Sequence, residues 1–345
     1  MFTFVVRRIF SLFLVLLVAV TASFCLLRLA PGNPFTQGER AMTPEQLNAE
    51  ERKYDLDGSL FSQWARYIGV QRKNSKENVR DVRQETISEK SGGREVSQGT
   101  RELGEFSGLL QGDFQPCLKY KDRTVRELIV QTIPVSATLG ALALLLATVV
   151  GVTLGSLAAL KKDKLADAGT MFFALFAVSL PTFVVGPALI LVFALWLRWL
   201  PVGGWNGASS IVLPAITLAG PFIAYISRLT RTSMLEVLGQ DFVRTARAKG
   251  LAEKRVIYRH ALKVAILPVV SFVGPLAANL VTGSLVVESV FSLPGMGGFF
   301  VNSVLNRDVF LCCGTVVIYC TLLVLLNLVV DVAYKFLDPR ITLDE

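Results

Sequence analysis

With a single histidine, His260, the chain cannot assemble a histidine-pair zinc site or an H-E-x-x-H motif. It contains no G-x-x-x-x-G-K-[ST] stretch, so it cannot cradle ATP phosphates in a P-loop. Its five cysteines form no C-x-x-C pair, and Cys25, Cys312, Cys313 and Cys320 lie in apolar runs, where thiols serve as small packing groups rather than as a disulfide or zinc framework. The Gly295-Met296-Gly297-Gly298 cluster follows an apolar run and reads as a loop turn, not a phosphate cradle. Charge is also scarce, at 18% of residues against about 25% in a soluble domain. It is missing altogether from the centres of the apolar runs, where secondary transporters and proton pumps normally carry ionisable groups. Arg28, Arg198, Glu288 and Asp331 stand at or near run ends, and the polar residues deeper inside are of the Asn279 and Asn327 kind. No catalytic constellation and no cofactor site emerges, and any energy for work must come from elsewhere.

What the chain does have is hydrophobic length. Of its 345 residues 52% are hydrophobic, and the mean hydropathy is +0.52. About 20 apolar residues cross a bilayer core as a helix. Ile9–Leu27 meets that length, and although a basic start followed by an apolar core also suits a signal peptide, Leu27-Arg28-Leu29-Ala30-Pro31-Gly32 is a poor cleavage site, so retention is expected. Further runs cover Ile133–Leu160, Ala168–Leu197 with Pro181 and Pro187 inside it, Ile211–Ile226, Ala265–Val287 and Phe310–Tyr334. Proline within a span is tolerated where neighbours satisfy the freed carbonyls, and it marks a kink. The expectation is an all-α polytopic membrane protein with six transmembrane helices.

The net charge of +8 lies beside these runs, which makes membrane topology a simpler explanation than nucleic acid. The connection at Lys161-Lys162-Asp163-Lys164 carries three lysines, and residues 228–263 carry nine Lys and Arg against three acidic residues. With six alternating spans both connections share a side with Arg7, Arg8, Lys335 and Arg340, so both termini are expected in the cytoplasm. Residues 31–132 fall outside, with sixteen basic and sixteen acidic residues. Within them Thr43-Pro44-Glu45-Gln46 has the form of a helix start, giving a small helical subdomain around 43–70, and the polar stretch 71–106 reads as a mobile or weakly helical insertion. The organisation is thus a first span over 1–30, an external segment over 31–132, and a five-helix core over 133–345.

The 228–263 connection holds the most suggestive pattern. A short helix over Val243–Lys249, a break at Gly250 and a second helix over Leu251–Leu262 would make a compact basic element. Glycine at the break serves either a positive φ or a close backbone approach. Such an element suits docking onto a soluble subunit, and it equally suits a basic loop held against anionic lipid. His260 reads as a polar contact on a helix surface.

Here the residues resemble a family. Asp241-Phe-Val-Arg244-Thr245-Ala246-Arg247-Ala248-Lys249-Gly250-Leu251, followed by Arg259-His-Ala-Leu262 and Leu267-Pro268, is similar to the cytoplasmic signature of bacterial ATP-binding-cassette (ABC) importer permeases of the dipeptide and oligopeptide branch. Arg28-Leu-Ala-Pro-Gly-Asn-Pro34, Gly112-Asp-Phe114, Ser179-Leu-Pro-Thr-Phe183, Leu200-Pro-Val-Gly-Gly204, Arg228-Leu-Thr-Arg231, Asn327-Leu-Val-Val-Asp331 and Leu337-Asp-Pro-Arg340 follow in the same order as in that branch. Glu288-Ser-Val-Phe-Ser-Leu-Pro294-Gly295-Met-Gly297 resembles its external re-entrant loop. The resemblance covers residues 1–70 and 107–345. The general motif's Glu-Ala-Ala reads Arg244-Thr245-Ala246 here, and 71–106 has no recognised counterpart. The resemblance implies a subunit of the bacterial cytoplasmic (inner) membrane without an ATPase site of its own. It also implies a second homologous permease, two ATP-binding subunits and an extracytoplasmic substrate-binding protein, with Asp241 to Leu251 as the contact to the ATPases. A passive channel and a structural scaffold of the envelope remain the alternatives from other classes.

Overall fold

The structure, a computed structural model, describes residues 2–32, 34–35, 43–71, 108–120, 123–281 and 284–337. The 71–106 insertion, apart from Gln71, and the Leu337-Asp-Pro-Arg340 motif, apart from Leu337, lie outside the described residues. The described chain is helical, with one isolated antiparallel bridge between Pro116 and Thr124. In chain order the helices are α1 (Phe2–Leu29), α2 (Pro44–Lys53), α3 (Leu60–Ile68), α4 (Val125–Leu160), α5 (Leu165–Ser179), α6 (Thr182–Trp196), α7 (Ala208–Leu238), α8 (Asp241–Ala248), α9 (Glu253–Ala265), α10 (Leu267–Val281), α11 (Leu285–Val290), α12 (Met296–Leu305) and α13 (Val309–Leu337). Four of them, α1, α4, α7 and α13, are long and apolar enough to cross a membrane singly, and the bent pairs α5–α6 and α9–α10 bring the number of candidate spans to six.

The third and fifth spans differ from the sequence expectation. At Leu180-Pro181 the direction changes by 106°, so α5 and α6 are separate rods rather than one kinked helix. Pro181 sits extended at the start of α6, where its missing N–H costs nothing; Pro187 stays inside. The fifth run, expected as one span over Ala265–Val287, is not a single helix: α10 ends at Val281 and α11 starts at Leu285, while α9 leads into α10 through a 51° bend at Ile266. Both α6 and α9 carry a π-helical stretch, Ile190–Trp196 and Val256–Ala261.

The chain forms two compact units. One is built on residues 132–298. Its α4 presents small residues at four-residue intervals, with Ala143, Ala147, Gly151, Gly155 and Ala159 all buried. A methyl at Gly155 would lie 2.3 Å from the Ser227 carbonyl oxygen, and one at Gly151 would lie 2.7 Å from the Ile226 side chain. This small-residue row lets α4 and α7 approach closely, as helices in lipid must when no hydrophobic force draws them together. One element links α5 to α7 by charge: Arg231 donates from Nε to Asp167 Oδ1 at 2.5 Å and from Nη2 to Oδ2 at 2.7 Å. Asp167 also accepts the Asp163 N–H, which fixes the Lys161–Lys164 turn.

The other unit comprises the described parts of 13–131 together with 299–318. Residues 43–70 contain the helices α2 and α3. Thr43 and Gln46 make a reciprocal capping box at the start of α2. The rings of Phe24, Tyr67 and Phe310 stack in series at 5.8 and 5.6 Å, and the Trp64 indole N–H donates to Thr21 Oγ1 at 3.0 Å. Buried Arg66 is balanced by Asp57 at 2.7 Å and Asp55 at 3.5 Å. Asp308 caps α13 through the Leu311 N–H at 3.0 Å. Its other oxygen accepts from the Leu118 and Lys119 amides and the Cys117 thiol.

Candidate functional site

Two constellations in the 132–298 unit contain the residues singled out by sequence. In the first, α8 begins two residues before the expected Val243, at Asp241, a favourable acid in the first turn. Its inward face is thin: Val243 and Ala246 are buried, joined by Met234 and Val237 of α7, Val256, Ile257 and Ala261 of α9, and half-buried Leu251. Everything else points outward. The Asp241 and Arg244 side chains are 97% and 72% exposed, and Phe242, Thr245, Arg247, Ala248 and Lys249 are exposed with them. The Thr245 hydroxyl is used locally, donating to the Asp241 carbonyl.

Gly250 ends the helix with φ +75° and donates its N–H to the Arg247 carbonyl at 2.9 Å. Nothing stands within 4 Å of the position its Cβ would take. Of the two roles open to this glycine, the left-handed turn is therefore the operative one. Across the turn Arg247 grips Glu253 with two hydrogen bonds, Nη2 to Oε1 at 2.7 Å and Nε to Oε2 at 3.2 Å. The bonded carboxylate holds the guanidinium above its ordinary value. The result is a short, stiff tab: one face anchored on apolar side chains, one glycine setting its angle, and one bidentate pair bracing it. α9 starts at Glu253, two residues after the expected Leu251, and runs on to Ala265.

The second constellation surrounds Glu288, which is 1% exposed. One carboxylate oxygen accepts the Ser136 hydroxyl at 2.7 Å and the other the Gly297 N–H at 2.8 Å. Ser136 Oγ in turn accepts the Met296 N–H at 2.9 Å. The carboxylate fits only because its neighbours lack side chains: a Cβ at Gly295 would stand 2.4 Å from the Glu288 carboxyl carbon, and one at Gly297 would stand 2.9 Å from its oxygen. The cluster read as a plain turn is thus a cradle for the chain's own buried acid. Pro294 is exposed and outside these contacts. The loop also receives the Gly204 N–H on the Phe291 carbonyl at 2.9 Å, which joins the Leu200–Gly204 motif to the Glu288 motif.

Sequence reasoning missed Ser136, Asp167 and Glu253 as partners. Ser136 and Glu288 are 152 residues apart, and Asp167 and Arg231 are 64 apart. A usable signal was present for the first pair: an acid at the end of an apolar run, followed within nine residues by a Gly-x-Gly.

The model of the family described as "binding-protein-dependent transport system inner membrane component" matches residues 151–343, and its N-terminal companion matches 1–80. The chain is 43% identical over 343 residues to the oligopeptide transport system permease protein OppB of Salmonella typhimurium, with 99% of each chain covered. It is 34% identical over 340 residues to the dipeptide transport system permease protein DppB of Bacillus subtilis, covering 99% of this chain and 98% of the other. A solved inward-facing structure of the MetNI methionine ABC transporter superposes with a TM-score of 0.51 at 15% identity, over 62% of this chain and 97% of that one. At that identity the last match establishes shared fold and nothing finer.

Proposed function

The chain belongs to the binding-protein-dependent transport family of inner-membrane components, and from that premise we propose that it forms one permease half of an ABC importer for peptides. As a multi-pass membrane protein of transport-permease kind, it supplies the path, and separate subunits supply the energy. In this reading the chain has no ATPase site of its own, works with a second homologous permease, two ATP-binding subunits and an extracytoplasmic binding protein, and resides in the bacterial cytoplasmic membrane with both termini inside. The segment 31–132 then faces outward and 228–263 faces the ATPases.

The single observation that carries the coupling role is the construction of α8. A helix held by two buried residues, Val243 and Ala246, with its charged residues exposed, has the form of a surface made for a partner. ATP-driven closure of the ATPase pair would push on Asp241, Arg244, Thr245, Arg247, Ala248 and Lys249. The Gly250 turn and the Arg247–Glu253 brace would pass the displacement to α9, and the bend at Ile266 would pass it to α10. The Glu288 cradle, with Gly295 and Gly297, would hold the outer loop as a fixed stop against which the spans turn.

Gly250→Pro removes the N–H given to Arg247 and forbids the positive φ. The expected outcome is normal membrane insertion with peptide uptake abolished, measured by radiolabelled peptide accumulation in cells lacking the native copy. Uptake at the wild-type rate would overturn the coupling role.

A further inference from the structure

An apolar recess of about 490 Å³ opens between α4, α5 and α7, lined by Leu154, Gly169, Phe173, Ala177, Gly220 and Ile223 among others. Its volume is that of a small-ligand site, yet it offers a ligand nothing polar. The two hydroxyls on its wall are spent on their own helices: Thr170 donates to the Ala166 carbonyl at 2.8 Å and Ser227 to the Ala224 carbonyl at 2.9 Å. A peptide main chain entering it would lose its hydrogen bonds to water and gain none. A hydrocarbon chain would lose nothing.

One end of the recess is different. Ala166 and Ser227 lie beside the Arg231–Asp167 pair, and the chain immediately before α5 is the turn Lys161-Lys162-Asp163-Lys164. All three lysines are exposed, and none forms an ion pair with a described residue. The Asp163 N–H bonded to Asp167, with Asp163 at φ +61°, holds this turn against the start of α5. Phe173 and Phe176 on its wall, and Phe172 beside them, are 70%, 54% and 65% exposed, as suits side chains facing acyl chains. A dry groove that ends beside a turn carrying three exposed cations suits a lipid with an apolar tail and an anionic head.

We propose that this recess binds an acidic phospholipid, with an acyl chain between α5 and α7 and the phosphate held by Lys161, Lys162 and Lys164. The site rests on the chain's place in a bilayer and not on what it transports. A lysine near a headgroup contributes about fivefold to anionic-lipid affinity.

The test uses the tagged full-length chain with whatever accompanies it, in nanodiscs carrying phosphatidylglycerol or phosphatidylcholine with a diazirine at mid-acyl chain. Peptide mapping reads the labelled positions. The expected result is phosphatidylglycerol label within 166–177 and 220–227, outcompeted by unlabelled phosphatidylglycerol but not by phosphatidylcholine. The triple change Lys161→Gln, Lys162→Gln and Lys164→Gln, confined to exposed side chains, should weaken that competition on the order of a hundredfold. Filling the recess with Ala174→Phe should remove the label while leaving the size-exclusion profile unchanged. Equal labelling by both lipids regardless of the lysines would overturn the proposal in favour of ordinary boundary lipid. Absence of label from both stretches would overturn it in favour of a protein neighbour covering the groove. Peptide uptake enters none of these readouts, so a failed transport assignment would leave this site standing.

Discussion

The α8 tab and the Glu288 cradle belong to the same unit but handle charge in opposite ways. Around Glu288 the charge is buried, both carboxylate oxygens are bonded within the unit, and glycines are spent to make room. On α8 the charges stand in water: Arg244 only approaches Asp241, at 3.7 Å, and Arg247 pairs with Glu253 at the exposed surface. A buried charge without its partners is costly, so the Glu288 acid serves the fold. An exposed pair contributes between nothing and about 1 kcal/mol, so stability gives no reason for the display of charge on α8. The contrast separates residues kept for architecture from residues available to a partner.

Breaking the buried side should have the largest effect. Glu288→Ala leaves the Ser136 hydroxyl and the Gly297 N–H without acceptors, at about 1–3 kcal/mol each. Thermal denaturation in detergent should show a clear loss of stability, and peptide uptake should fall with the amount of folded protein. A variant as stable as wild type would mean that the loop does not depend on its acid.

A buried carboxylate in the other unit, Asp308, sharpens the point through pH. Burial first, and then the Asp308 charge, push the Cys117 thiol from its ordinary 9.0 up to about 12. The folded state therefore keeps a proton that the unfolded chain releases. Stability is unaffected below pH 9, and it declines as pH rises from there toward 12. Cys117→Ser keeps a donor for Asp308 and cannot titrate in that window, so its alkaline decline should be the shallower in pH-dependent melting curves. Identical slopes would contradict the assignment.

The smallest structural effect belongs to the tab. Arg247→Ala removes a surface brace worth at most about 1 kcal/mol, and the melting temperature should barely move. Uptake driven by ATP should nonetheless fall severalfold, because the angle across Gly250 is no longer held. Equal losses of stability and of uptake would erase the distinction between the two regions.

Much of this was legible in the sequence because hydrophobic length and glycine are local signals. The spans α1, α4, α7 and α13 follow from apolar runs of sufficient length, α7 continuing through Pro214 and Pro221, and the helix–glycine–helix order of 241–265 follows from composition. The 106° turn at Leu180-Pro181 was not legible. A proline in an apolar run announces a kink, but its size is set by what α5 and α6 pack against. Chain-distant pairs were equally hidden: nothing near Asp167 names Arg231 as its partner, and Ser136 is one serine among many. What sequence order conceals is therefore mainly the polar closure of the core, where two distant residues satisfy each other.

The most direct test of the account is to reverse the displayed charge without touching the fold, with Arg244→Glu and Lys249→Glu together. Purification from native membranes, with the retained ATP-binding subunits quantified beside the melting temperature, gives both readouts from one sample. The expected result is an unchanged melting temperature with loss of the ATP-binding subunits. Full retention of those subunits on the charge-reversed tab would contradict the claim that α8 is their docking surface.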